Sequence, residues 1–221
     1  MDVWVISLNI VLPEALPLST EEQERAWKLL PASRPTFIAS HYARRCILAS
    51  YLNTTPEQIE FASAANGKPS IRGAAELRFS VAHSADVALC AVAWERDVGA
   101  DIELVRAVDQ MESLVSAHFA LAEARQFSLL ATDAKQAAFF ALWTRKEAFV
   151  KAIGEGLRCP LNRFEAPLEA AGIEQRLPIT ETDARKHLDW SLFSFCPAAG
   201  YLGAVVVSGA DAEPPTIHHF P

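Results

Sequence analysis

The sequence predicts an α+β fold with two similar α+β halves in one chain, related by a pseudo-twofold axis. Apolar residues make up 51% of the 221 residues, which is enough to build a substantial core. Short segments rich in β-branched residues predict strands, and longer segments with apolar residues at helical spacing predict helices. A short pattern also recurs late in the chain, which suggests two similar units.

The first half is predicted to contain one long helix and three strands. The helix covers residues 35–52, where Pro35 occupies a favoured first-turn position and apolar residues follow at helical spacing. A turn from Asn66 to Pro69 separates this helix from a hairpin. The predicted strands cover residues 3–11, which Pro13 ends, and residues 78–82 and 87–94.

The second half is predicted to begin with a strand at residues 98–104 and to end with a hairpin. Helices are predicted at residues 109–116, 122–130 and 133–153, and Gly154 and Gly156 stop the last of them. The final strands cover residues 190–196 and 201–208. We expect the polar, proline-bearing tail after them to be loose.

The two halves are suggested by an echo between two hairpins. Phe79-Ser80-Val81 leads through a turn into Ala91-Val92, and Phe193-Ser194-Phe195 leads through a turn into Val205-Val206. Each hairpin follows a long helix. The echo is explained either by a repeat, which would divide the chain into residues 1–96 and 97–221, or by coincidence between two ordinary hairpins.

Charge and hydropathy exclude several classes of protein. The net charge of −7 argues against a general nucleic-acid binder, because nucleic-acid backbones are held by clustered Lys and Arg. No run of about 18 apolar residues occurs, and the start of the chain lacks the basic region of a signal peptide. We therefore expect a soluble, cytoplasmic protein that binds neither nucleic acid nor membrane.

Two carboxylates follow one another on a predicted strand. Strand alternation places Asp101 and Glu103 on one face and Ile102 on the other. Close carboxylates repel each other unless a cation lies between them, and Mg²⁺ is the natural cation where a phosphorylated substrate supplies further oxygen ligands. The alternative is a solvated Asp and Glu at the end of a strand.

A second charged group lies on the last predicted helix. Glu147 and Lys151 are four residues apart and share one face. A surface ion pair is the alternative reading, but Trp143, Phe149 and Val150 indicate a buried helix, where an unpaired charge is costly. His83 lies at a predicted turn, where it is either aimed into a cleft or merely exposed.

Four ordered motifs resemble those of the Sfp-type 4′-phosphopantetheinyl transferases. They are Gly67-Lys68-Pro69, residues 79–84, residues 99–103 and residues 143–151 with the following glycines. The resemblance covers roughly residues 35–207 and implies the family's fold of two similar α+β halves. No Walker-type loop, Gly-x-Ser-x-Gly elbow or zinc-ligand spacing competes with it.

The resemblance implies a role for each matching residue. Asp101, Glu103 and Glu147 would bind Mg²⁺, with Mn²⁺ as a possible substitute, and Glu147 would also take the proton of a serine. Lys151 and His83 would contact the pyrophosphate of coenzyme A. The residues expected to bind coenzyme A are Arg34, Arg45, Lys68, Pro69, His83, Ser84, Lys146 and Lys151.

The sequence departs from the family pattern at two positions. Ala82 stands where a serine is common, so a hydrogen bond to the ligand could be missing. Thr36 stands where an arginine is usual, which leaves Arg34 and Arg45 as the nearest candidates for the 3′-phosphate of coenzyme A.

The resemblance implies a monomeric enzyme that transfers phosphopantetheine from coenzyme A to a serine of an apo acyl or peptidyl carrier protein and releases 3′,5′-ADP. The alternatives are another Mg²⁺-dependent phosphotransferase or phosphohydrolase, and a non-catalytic module that binds coenzyme A.

Overall fold

The structure is a computed structural model that describes residues 1–63, 67–156, 159–168, 175–176, 189–209 and 211–221. Asn66, the first residue of the predicted turn, lies outside these ranges. The strands are β1 Asp2–Ser7, β2 Phe61–Ser63, β3 Pro69–Ile71, β4 Leu77–Ser84, β5 Val87–Trp94, β6 Val98–Leu104, β7 Gln175–Arg176, β8 Trp190–Phe195, β9 Tyr201–Ser208 and β10 Thr216–His219. The helices are α1 Thr20–Lys28, α2 Arg34–Leu52, α3 Met111–His118, α4 Leu121–Ser128 and α5 Thr132–Ile153, with short 3₁₀ turns at Pro56–Gln58 and Leu161–Arg163.

Within the described residues, the strands form two four-stranded sheets and one small hairpin. The first sheet has the order β10-β1-β5-β4, the second has the order β6-β9-β8-β7, and β2 pairs with β3. All of these strand pairs are antiparallel except β1 with β10. Helices and mixed sheets together confirm the predicted α+β class.

Three apolar clusters arrange the elements in layers. One lies between α2 and the first sheet, the second lies between the two sheets, and the third lies between the second sheet and α5. β5 contributes alternate residues to the first two clusters, because successive side chains of a strand point to opposite faces. A helix therefore covers the outer face of each sheet.

The two sheets share one strand order, since β1-β5-β4 corresponds to β6-β9-β8 in chain sequence and pairing. This agreement is compatible with the predicted pseudo-twofold axis, which stays a prediction. One element crosses the expected boundary between residues 96 and 97. β10 comes from the second segment and pairs with β1 of the first sheet.

The prediction of a loose C-terminal tail is wrong. β10 runs parallel to β1, and the His218 ring stacks on the Trp4 ring at 4.6 Å between centroids. His218 Nε2 also lies 3.1 Å from Asp2 Oδ1. Polar and proline-rich composition did not reveal this strand, because its partner lies more than 200 residues away in the chain.

The first strand is shorter than predicted. β1 ends at Ser7, whose partner Val87 is the first residue of β5, so no paired strand continues beyond this point. Val11, predicted to lie in the strand, is almost fully exposed.

Helix α1 was not predicted, although its start carries a clear signal. Ser19 and Glu22 form a capping box: Ser19 Oγ accepts from the Glu22 backbone N–H, and Glu22 Oε2 accepts from the Ser19 N–H. Glu22 then binds α2 through Arg45 Nε at 2.7 Å, Arg44 Nη2 at 2.7 Å and His41 Nδ1 at 2.9 Å. One carboxylate therefore holds the two helices together.

We expect Glu22→Gln to lower the free energy of unfolding by about 3 kcal/mol at pH 7, because it leaves buried cations without their counter-charge. Burial alone would raise the pKa of Glu22, but hydrogen bonds from His41, Ser19 and Arg45 outweigh it and hold the pKa well below its usual range. A depressed pKa stabilises the fold above the unfolded pKa, near 4.5, and this contribution is lost as the pH falls further.

Urea unfolding at pH 7 and below pH 4.5 measures this effect. The difference between wild type and Glu22→Gln should shrink at acidic pH, whereas the exposed Glu24→Gln should stay near wild type throughout. A difference that does not change with pH would contradict the electrostatic role of Glu22.

Candidate active site

Strand β6 presents its two carboxylates towards α5. Val98, Ala100 and Ile102 lie in the core between the sheets, so the residues that alternate with them face the helix. Gly99 shows how close this contact is: a Cβ atom there would lie 2.0 Å from the Ala148 backbone oxygen. Asp101 and Glu103 follow on the same face of the strand.

Helix α5 supplies the other two charged groups, Glu147 and Lys151, one turn apart. Lys151 Nζ lies 2.6 Å from Asp101 Oδ1, so strand and helix are joined by an ion pair. Asp101 is only 6% exposed. Its second oxygen, Oδ2, is buried and has no hydrogen-bond partner among the residues that the structure describes.

The three carboxylates influence one another. Burial raises the pKa of Asp101 to about 6; Lys151 opposes this shift, and Glu103 and Glu147 add to it. Burial also raises the pKa of Glu147, where Lys151 again opposes and Glu103 adds. The site therefore holds more negative charge than Lys151 neutralises, and a bound cation would relieve this repulsion.

These residues could hold a hard divalent cation, although the ligand set is not complete as it stands. Within the described ranges, no three His, Cys, Asp or Glu side chains form a group that could hold a metal ion. Asp101 Oδ1 is bound to Lys151, and Glu103 Oε2 accepts a hydrogen bond from Ser84 Oγ at 2.7 Å. The fit of a cation rests on the orphaned Asp101 Oδ2 and on the repulsion between the carboxylates.

Two serines of β4 join the first sheet to β6. Ser80 Oγ accepts a hydrogen bond from the Ala100 N–H at 3.0 Å, and Ser84 Oγ accepts one from the Leu104 N–H at 3.1 Å. Ser84, predicted to bind coenzyme A, thus bonds to β6 with its hydroxyl. His83 is exposed beside it at the end of β4.

Ala82 lies between these serines and faces the core between the sheets. The side chain is only 6% exposed. A serine hydroxyl at this position would lie in the buried contact between β4 and β6 rather than in an open cleft. The missing hydroxyl is therefore not an evident gap in a ligand site.

The turn beside His83 is held by hydrogen bonds to two distant parts of the chain. Tyr201 of β9 donates its hydroxyl proton to Asp86 Oδ1, and Asn9 Nδ2 donates to Asp86 Oδ2 at 3.1 Å. Sequence reasoning missed this contact, since 115 residues separate Tyr201 from Asp86 and no local pattern connects them.

The Lys68 side chain ends beside the first residue of β6 and the last turn of α5, and Pro69 is exposed at the start of β3. Lys68 Nζ donates to the backbone oxygens of Val98 at 3.0 Å and Ala152 at 2.9 Å. Burial lowers the pKa of Lys68 to about 8. Its ammonium group is therefore bonded to the protein at the junction of β6 and α5.

The structure does not bring Lys146 or the two predicted arginines to this cluster. Lys146 is fully buried, with Nζ 2.8 Å from Glu123 Oε1 and bonded to backbone oxygens of Leu161 and Phe164. These contacts argue against binding of coenzyme A by Lys146. The residue lies on the inner face of α5, where a cation must find its partners within the protein.

The two arginines are also engaged in structural contacts. Arg45 is 3% exposed and binds Glu22 together with the backbone oxygens of Pro56 and Ile59. Arg34 donates to backbone oxygens at the end of α1 and lies over the Trp27 ring at 4.3 Å. The sequence alone does not distinguish such structural cations from ligand-binding ones, because the difference lies in their tertiary partners.

No helix among the described residues is both long enough and apolar enough to cross a membrane.

A family model described as "4'-phosphopantetheinyl transferase superfamily" matches residues 97–206, which contain β6, α5, β8 and most of β9. The chain is 34% identical over 212 residues to the 4'-phosphopantetheinyl transferase HetI from Nostoc sp., covering 93% of this chain and 84% of HetI.

Two further relatives carry the same description. The chain is 30% identical over 171 residues to Sfp from Bacillus subtilis, covering 71% of this chain and 74% of Sfp. It is 37% identical over 116 residues to AcpT from Salmonella typhimurium, covering 52% of this chain and 59% of AcpT.

We expect Gly99→Ala to lower the free energy of unfolding by about 3 kcal/mol or more, because the added methyl group would meet backbone rather than a movable side chain. Gly203→Ala is the matched control, since its Cβ would meet only side-chain atoms, the nearest at 3.2 Å. Thermal and urea unfolding would compare the two. Equal losses for both variants would contradict the tight contact between β6 and α5.

Proposed function

The chain belongs to the 4′-phosphopantetheinyl transferase superfamily, and we propose that it transfers the 4′-phosphopantetheine group of coenzyme A to a serine of an apo acyl or peptidyl carrier protein, releasing 3′,5′-ADP. The observation that carries the proposal is the cluster of Asp101, Glu103, Glu147 and Lys151 where β6 meets α5. This cluster lies within the segment that matches the superfamily model.

We propose that Asp101, Glu103 and Glu147 hold Mg²⁺, with Mn²⁺ as a substitute. Support comes from the buried Asp101 Oδ2, which has no hydrogen-bond partner among the described residues, and from the mutual repulsion that helps to raise the pKa of Asp101. Such a cation would supply positive charge to neutralise the pyrophosphate oxygens of coenzyme A.

Glu147 is the proposed general base, which takes the proton of the carrier serine. Burial raises the pKa of its carboxyl group, so Glu147 accepts a proton more readily than an exposed glutamate. Its backbone lies within the regular helix α5 rather than in a loop. The serine oxygen can then attack the β-phosphorus of coenzyme A.

Lys151 and His83 are the proposed contacts of the pyrophosphate. The Lys151 side chain is 32% exposed, so its ammonium group can bind Asp101 with one N–H and still face a ligand with others. His83 is exposed at the end of β4, and the neighbouring Ser84 donates its hydroxyl proton to Glu103. Stabilisation of charge on the phosphate oxygens carries most of the catalysis in this proposal.

The test is incubation with coenzyme A, Mg²⁺ and a panel of apo carrier proteins, followed by mass spectrometry of the carriers. We expect one carrier to gain the mass of a single phosphopantetheine group, and we expect chelation by EDTA to stop this gain. Asp101→Asn should abolish transfer, because it removes charge from the proposed metal site, whereas the exposed Asp109→Asn should be active.

Unchanged transfer by Asp101→Asn would contradict the metal assignment. Release of phosphate from coenzyme A in the absence of any carrier would indicate a phosphohydrolase and overturn the proposal.

We expect Lys151→Met to lower kcat by about 10²-fold, because the ammonium group meets negative charge that develops in the transition state. Lys151→Arg should restore activity only in part, since the planar guanidinium differs in shape and reach. The exposed Lys28→Met is the control. Steady-state kinetics decide the matter: a raised KM with unchanged kcat would mean that Lys151 only anchors the ground state.

A further inference from the structure

Lys68 connects the two elements that carry the candidate active site. Its Nζ donates to the Val98 oxygen, at the first residue of β6, and to the Ala152 oxygen, in the last turn of α5. The end of a helix exposes backbone oxygens that have no partner within the helix, and a cation there is favourable. The lysine side chain therefore bridges the start of the strand and the end of the helix.

This bridge lies beside a close approach of the two backbones. Gly99 follows Val98, and a Cβ atom on it would lie 2.3 Å from the Ala152 backbone nitrogen. Lys151 directly precedes Ala152, and Asp101 lies three residues after Val98. A small shift of β6 along α5 would therefore change the distance between Asp101 and Lys151, which are in contact at 2.6 Å.

The direction of the ammonium group distinguishes a structural from a ligand-binding role. Lys68 is mostly buried, and two of its three N–H donors point to backbone oxygens inside the protein. A lysine that mainly served a nucleotide would keep its ammonium group towards the open side of the site. Burial of the side chain and both hydrogen bonds favour the structural role.

We propose that Lys68 is a positioning residue that holds β6 and α5 in one register and thereby keeps Asp101 in contact with Lys151. Its effect on the rate rests on the proposed function, but its effect on the contact between strand and helix does not. Neither the matching family model nor the names of the relatives assigns this role.

The first test is independent of activity: hydrogen exchange of the full, ligand-free chain, measured by mass spectrometry. Lys68→Met keeps the length of the side chain and removes its N–H donors. We expect exchange in residues 98–104 and in the last turn of α5 to become about 10-fold faster, with residues 2–7 of β1 unchanged. The exposed Lys28→Met should match wild type everywhere.

The second test separates positioning from binding. For Lys68→Met we expect kcat to fall by about 10-fold or more, because small displacements of reacting groups are costly, while the Kd for coenzyme A by calorimetry stays within about 2-fold. If this variant does not fold, Lys68→Arg serves instead: it keeps the charge but not the shape of the bridge, so exchange should still increase.

Two results would overturn the proposal. One is exchange at β6 and α5 that equals wild type in the variant. The other is a Kd for coenzyme A raised 10-fold or more with unchanged kcat, which would make Lys68 a ligand contact. If the wild type transfers nothing to any carrier, the proposed function fails, while the exchange result still decides the role of Lys68.

Discussion

The close packing of β6 on α5 is the constraint on which the candidate site depends. Because Gly99 has no side chain, the strand can lie directly against the helix backbone at Ala148 and Ala152. This approach brings Asp101 within 2.6 Å of Lys151, although the two residues are 50 positions apart. A larger residue at position 99 would separate the charged groups that the proposed chemistry needs.

Two lysines of α5 have different surroundings and therefore different roles. Lys146 and Lys151 belong to one short motif, but only Lys151 lies on the face that meets β6. Lys146 points inward and is bonded to Glu123, which also accepts from the backbone N–H groups of Ala120 and Ala166. One lysine therefore stabilises the loop after the helix, and the other is available for the candidate site.

The fold was largely predictable because its periodic signals are local. The predicted limits of β5, β6 and β9 agree with the structure, and α2 and α5 differ from prediction by one residue at their starts. The strand pattern also identified the carboxylate face of β6, since alternation needs no knowledge of neighbours. α1 could have been found from the capping box of Ser19 and Glu22.

Tertiary partners were the part that the sequence did not reveal. Lys68 and Lys146 lie in motifs that resemble ligand-binding segments, and Arg45 was a candidate for the 3′-phosphate, but each of the three is bonded within the protein. Ser84 was expected at the ligand, but its hydroxyl bonds to β6. These outcomes depend on which backbone oxygen or carboxylate folding brings near, and residue type alone does not encode that.

The parallel pairing of β10 with β1 has a consequence for the order of folding. β10 is synthesised more than 200 residues after β1, so the edge of β1 that pairs with β10 stays open until residue 219 has left the ribosome. An unpaired strand edge readily associates with other chains. The nascent first sheet must therefore persist with an open edge during translation. Residues 216–221, which include Phe220 packed against the core around α2, cover this edge once they are synthesised.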